Sequence, residues 1–148
     1  MRRLMVAMWM AVAGSGAAAA EIVTVPAQGS VAEVMNRLVV AVEGAGALVF
    51  ARVDHAGAAA IVGERLAPME LLVFGNPKLG TPALQDAPLA GLMLPLRVLA
   101  YEDGAGQVVL AYEAPGAMLA GVGGQADAPH VAQIAAALER LTAAAARP

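Results

Sequence analysis

The chain of 148 residues has no cysteine, only 3% aromatic residues and only 14% charged residues. Without cysteine there are no disulfides and no thiolate metal sites, so stability has to come from a packed core. Beyond residue 20 the aromatics are Phe50, Phe74, Tyr101 and Tyr112 alone, too few to form a stacking platform for bases. The formal net charge of −3 repels phosphate backbones, and nucleic acid is excluded as a partner. Serine is scarce as well: past residue 20 only Ser30 occurs, so nucleophilic serine chemistry has almost nothing to work with. What is abundant is small and apolar. Hydrophobic residues make up 59% of the chain, 37 residues are alanine, and the mean hydropathy is +0.68. That fraction lies above the ~45–50% of ordinary soluble chains, which excludes disorder, and the length suits one domain of the usual ~100–150 residues.

The first twenty residues have the order of a secretory signal peptide. Met1-Arg2-Arg3 is basic, Leu4 to Ala13 is an uncharged apolar run, and small residues continue to Ala20. The run is shorter than the ~20 residues that span a bilayer, so the expectation is cleavage after Ala20, a periplasmic location and no stable membrane anchor. Loss of Arg2 and Arg3 leaves seven basic residues against twelve acidic ones, making the mature chain more acidic still.

Residues 22–25 read as a strand ahead of Pro26. Ser30 and Glu33 have the spacing of a capping box, and Val31, Val34, Met35, Leu38 and Val42 recur at helical spacing until Gly44 and Gly46. A strand is predicted over Leu48–His55, a short helix over 56–66, and a strand over Met69–Phe74 that runs into the turn Gly75-Asn76-Pro77. Thr81-Pro82 has the form of an N-cap followed by a first helical proline. Leu94–Tyr101 and Val108–Tyr112 read as a hairpin around Asp103–Gly106. Residues 121–128 are Gly- and Ala-rich and are expected to be flexible. A last helix from Pro129 carries Val131, Ile134, Leu138 and Leu141 as its apolar row, with Glu139, Arg140 and Arg147 left to solvent. The predicted organisation is a single domain over 21–120, followed by a flexible segment and C-terminal helix over 121–148. Clustered strands and two long helices favour an α+β fold with a largely antiparallel sheet and helices on one face; a doubly wound parallel sheet is the runner-up.

The block Arg52-Val-Asp-His55-Ala with Gly63, the block Glu70-Leu-Leu-Val-Phe-Gly-Asn-Pro-Lys78 with Gly80-Thr81-Pro82, and the block Leu94-Pro-Leu-Arg-Val-Leu-Ala-Tyr101-Glu-Asp with Gly106 and Tyr112 follow one another in order. In this combination, over about residues 22–118, the sequence resembles the bacterial and archaeal family called domain of unknown function 302. The resemblance implies a curved, five-stranded, largely antiparallel sheet like the fold of the TATA-box-binding protein, together with a tendency to form homodimers. It implies no activity, and likeness to a DNA-binding fold transfers no function.

His55 is the main candidate for chemistry, because imidazole titrates near neutrality and also ligates metals. Asp54, Glu64 and Glu70 are its nearest acids in sequence, although Asp54, as a strand neighbour, points to the opposite face. The bland alternative is a histidine at a strand end that caps the next helix or bonds to a loop. The loop Gly75–Thr81 lies between a strand and a helix start, where free N–H groups and Lys78 suit an anion, although the P-loop spacing is absent. Its bland alternative is a tight turn followed by a Thr81 cap. Two histidines without cysteine form no closed zinc pattern; a mixed site of His55 with carboxylates is the one metal arrangement left, and no cofactor is predicted. His130 reads as a solvated first-turn residue. The expectation is an exported binding module for a small polar or anionic ligand held by His55, Glu70, Asn76, Lys78 and Thr81. The alternatives are an interaction subunit of a periplasmic complex, pairing through the Met and Leu residues of 89–99 or the last helix, and an enzyme using His55 with Glu64 or Glu70.

Overall fold

The computed structural model describes residues 21–148, so the signal-peptide reading of 1–20 lies outside the described residues. The elements are β1 (Ile22–Ala27), α1 (Val31–Gly44), β2 (Leu48–Asp54), α2 (His55–Ile61), β3 (Met69–Gly75), α3 (Pro77–Asp86), a 3-10 turn (Pro88–Leu92), β4 (Leu96–Glu102), β5 (Val108–Glu113), α4 (Pro115–Ala120) and α5 (Pro129–Ala145). The five strands form one sheet in the order β1-β5-β4-β3-β2, and every neighbouring pair is antiparallel. The fold is therefore α+β, and the doubly wound alternative is excluded.

The topology follows from one long connection. Strands β2 to β5 form a meander, while β1 joins β5 at the far edge, so α1 must carry the chain from one sheet edge to the other. Its 14 residues rise about 21 Å at ~1.5 Å each, and four interstrand spacings of ~4.8 Å come to about 19 Å. The capping box that starts α1 is present: the Glu33 N–H donates to Ser30 Oγ at 3.3 Å, and the Ser30 N–H donates to the Glu33 carboxylate at 2.8 Å. The Ser30 N–H, then the Ser30 hydroxyl, with Arg37 adding its charge, hold the Glu33 carboxyl below the usual carboxylate value. All five apolar positions expected on α1's inner face are buried.

Strand alternation supplies the other half of the core. Leu72 and Phe74, Leu96, Val98 and Ala100, and Val108, Leu110 and Tyr112 are buried at every second position. The register aligns them, with Phe74 opposite Leu96, Leu72 opposite Val98 and Ala100 opposite Leu110. The outer face, with Leu71, Val73, Leu99, Tyr101, Val109 and Ala111, is only half-buried. Pro26 is tolerated because β1 is an edge strand with no neighbour on one side. The hairpin turn forms where expected: Asp103 Oδ1 accepts from the Ala105 and Gln107 N–H groups, each at 2.9 Å.

Two helix boundaries need correction. The helix predicted over 56–66 ends at Ile61, and it begins at His55 because Asp54 is its cap and accepts from the Gly57 N–H at 2.7 Å. Helix α3 starts at Pro77 rather than beyond Thr81. Asn76-Pro77 has the same cap-then-proline grammar as Thr81-Pro82 and comes first, directly at the end of β3, so Thr81 and Pro82 lie inside the helix. Helix α4 was not anticipated. Within residues 121–128 the backbone and side-chain N–H groups of Gln125 both donate to Asp86, at 3.0 Å each. The C-terminal helix packs into the core. Val131, Ile134, Leu138, Leu141, Thr142 and Ala145 are buried, and α5 packs on α1, α3 and α4. Arg37 on α1 secures its end by donating from Nε to the Ala145 carbonyl at 2.8 Å.

Candidate functional site

The residues singled out from the sequence fall into two groups at opposite ends of the sheet. Asp54 pairs with Glu70 across β2 and β3, which places His55 and Glu70 at one end. Asn76, Lys78 and Thr81 lie at the other, and the six residue steps from Glu70 along β3 to Asn76 span about 20 Å at ~3.3 Å each. A single pocket drawing on all five is therefore ruled out by strand length.

At the first end Asp54 and Glu70 are already engaged. Glu70 is ion-paired with Arg52, which also donates to Asn36 Oδ1 at 2.6 Å, so the pair bridges the β2 edge to α1. Asp54 is occupied as the α2 cap. His55 is the first residue of α2, half-buried, and makes no side-chain hydrogen bond among the described residues; it neither caps α2 nor meets a carboxylate. Glu64 is exposed, past the end of α2. Among the described residues there is no group of three or more His, Asp or Glu side chains placed to hold a metal.

At the second end the expected anion loop is a helix turn. Asn76 Oδ1 accepts the Lys78 N–H at 3.0 Å, the Asn76 carbonyl accepts from Leu79 and Gly80 at 2.9 Å each, and Pro77 has no N–H to offer. The donors that would hold an anion are thus spent on the helix itself. Beside this turn, however, lies a cleft of about 450 Å³. Its walls include Phe50 of β2, the β3 end at Gly75, Leu84 of α3, Leu94-Pro95 ahead of β4, and Ile134, Ala137 and Arg140 of α5.

Local structure explains why the cleft is open. The β2–β3 register shifts between Val49 and Ala51, a bulge that sets Phe50 out of the ladder, 57% exposed at the cleft. Gly75 carries no side chain, and a Cβ there would stand 3.5 Å from the Phe50 ring and 3.6 Å from Pro95, so glycine leaves the mouth wider. Leu84 is also left 40% exposed within it. The polar groups on the lining are Asn76, Thr81 and Arg140. Arg37, Arg52 and Arg97 are each committed to a carbonyl or carboxylate, whereas Arg140 makes neither an ion pair nor a side-chain hydrogen bond among the described residues. Asn76 and Thr81 thus do meet in a pocket, and its cation is Arg140 rather than Lys78. Arg140 is exposed, as its place outside the α5 apolar row predicts, and it stands at the rim of the cleft.

A second cleft of about 450 Å³ lies between β1, β5 and α5, with Tyr112, Glu139 and Thr142 on its lining. Burial pushes the Tyr112 phenol above its ordinary pKa, with Glu139 adding in the same direction, and the Thr142 hydroxyl donates to the Leu138 carbonyl at 2.8 Å. Its one charged lining group is an acid, which disfavours an anion.

The chain is 46% identical over 94 residues to the fluoride-specific ion channel FluC 1 of Brucella suis, covering 64% of this chain and 37% of that protein. It is equally identical, over the same length, to FluC 1 of Brucella abortus, of which it covers 35%. It therefore spans little more than a third of the length of these curated relatives. Among the described residues no helix is long and apolar enough to cross a membrane. A crystal structure of an uncharacterised conserved DUF302 protein from Bacillus stearothermophilus superposes with a TM-score of 0.66 at 25% identity, over 84% of this chain and 94% of that one. The family described as domain of unknown function DUF302 matches residues 23–146, past residue 118, where the motif resemblance stops, and through α5. With the match running from the second residue of β1 to the end of α5, the chain belongs to the DUF302 family.

Proposed function

We propose that this protein is an exported binding module whose site is the cleft between the β3–β4 end of the sheet, α3 and α5, and whose ligand is small, with an apolar body and a polar or anionic end. The observation that carries this reading is the cleft itself: a concave, predominantly aliphatic surface of about 450 Å³ with a few polar groups, one of them the uncommitted Arg140. Ligand sites commonly have this make-up, in volumes of ~300–1,000 Å³. Export rests on the order of residues 1–20. The apolar anion 1-anilinonaphthalene-8-sulfonate is a direct probe. Saturable, one-to-one binding with enhanced fluorescence is expected on the cooperatively folded protein. Ala137→Leu, which fills the cleft from α5 without harming the helix, is expected to weaken it about tenfold, the scale of one or two buried methylenes. His55→Ala is expected to leave it unchanged. Binding that survives Ala137→Leu and disappears with His55→Ala overturns the cleft as the site.

A second reading, as an interaction subunit or self-associating domain, is favoured by the surface of the sheet. The outer face carries Leu71, Val73, Leu99, Tyr101 and Val109 only half-buried, and the β2 edge with the α2 region exposes Leu48, Phe50, Ile61, Val62 and Leu66. In the Brucella relatives the matched stretch takes up about a third of a protein named as a fluoride-specific ion channel, which also suits a domain that works beside other protein. The last helix does not serve here, because its apolar row is already buried. Sedimentation at micromolar concentration is expected to give a dimer that Leu71→Glu converts to a monomer. A monomeric parent protein removes self-association.

A further inference from the structure

Resting on the cleft reading above, we infer that the ligand class is an unbranched monocarboxylate of medium chain length, with its carboxylate on Arg140 and its alkyl chain along Phe50, Leu84 and Leu94. Three features of the site select this chemistry. The first is charge. Arg140 is the single cation on the lining and is free of partners among the described residues, while Lys78 lies off it, bonded through its backbone to Asn76. A guanidinium fork matches one carboxylate in a bidentate way, whereas a dianionic phosphate gathers several donors. Here the α3 N–H groups that would supply them are spent on Asn76.

The second feature is the nature of the walls. They are aliphatic apart from Phe50, since the other aromatic of the lining, Phe74, is 1% exposed and offers no ring face. Such a surface rewards methylene burial rather than aromatic stacking. The third is size. A volume of about 450 Å³ sits in the lower half of the range for small-ligand pockets, enough for one short chain and too little for a two-chain lipid.

The test is calorimetric titration of the residue 21–148 protein with hexanoate, octanoate and decanoate, and with 1-decanol as the neutral counterpart, repeated on Arg140→Gln with its fold checked by circular dichroism. Affinity is expected to rise about fourfold per methylene along the series. Decanoate is expected to bind about tenfold more tightly than decanol, and Arg140→Gln is expected to remove that preference while leaving decanol binding intact. A preference for decanoate that is unchanged in Arg140→Gln overturns the anchor and with it the inferred class. If anilinonaphthalene sulfonate binds in the cleft but neither decanoate nor decanol does, the alkyl-chain assignment falls and the cleft reading stands. If none of the three binds, both fall together.

Discussion

A chain ending at Ala120 is expected to lose its cooperative unfolding transition. Helix α5 contributes Val131, Ile134, Leu138 and Leu141 as large buried side chains, together with Thr142 and Ala145. At ~1.5–3 kcal/mol for each large aliphatic buried, their loss is of the same size as the ~5–15 kcal/mol by which domains are usually stable. The truncation also removes the carbonyls of Ala145 and Ala146, which accept from Arg37 Nε at 2.8 Å and from the Gln28 N–H at 2.9 Å and close β1 and α1 onto the helix end. Circular dichroism of residues 21–120 through a urea titration should show a gradual, sloping change. A sharp transition would mean that β1 to α4 form a complete core without α5, and that the boundary near residue 120 expected from the sequence is the real one.

Phe74→Ala is expected to cost about 3–5 kcal/mol and to lower the thermal midpoint by roughly 10–20 °C. Phe74 is the largest of the fully buried side chains, 1% exposed, at the point where β3 meets Leu96 of β4 and Val49 of β2. Truncation leaves a cavity that the flanking strands, held by their ladders, cannot collapse to fill. The urea midpoint should fall with little change in slope, since the surface exposed on unfolding is nearly the same. Because Phe74 also backs the cleft, the variant deepens it, and anilinonaphthalene sulfonate should still bind to the folded fraction. A loss below about 1 kcal/mol would show that the sheet relaxes around the site and that Phe74 is not central to the core.

Where a signal is local, the amino-acid sequence carried it through to the structure. The α1 capping box, its five buried positions, the β4–β5 turn and the apolar row of α5 each depend on residues within a few positions of one another, and each formed as the pattern indicated. Where two local signals competed, the surroundings chose between them. Asn76-Pro77 and Thr81-Pro82 both encode a helix start, and the end of β3 selected the first. Asp54 and His55 both stand at the strand end; the carboxylate, able to accept the Gly57 N–H, became the cap and left His55 inside the helix.

The candidate site was legible only in fragments. Asn76 and Thr81 were visible as polar residues in a turn, and they do line the cleft, but their linkage to His55 and Glu70 was an inference from nearness in sequence that a strand about 20 Å long dissolves. Arg140 was invisible as a site residue because nothing within α5 distinguishes a cation at the rim of a cleft from one in solvent. The order and antiparallel pairing of the sheet, with Ile22 set against Glu113, and the cleft built from β2, β3, α3, the approach to β4 and α5, join residues far apart in the chain. By itself the sequence determined the strands, the two long helices, the faces they bury and the chain's family pattern, because these arise from short-range periodicity and capping. The tertiary structure alone decided which polar groups share a surface and which are already spent on one another, because that depends on packing across segments no local pattern connects.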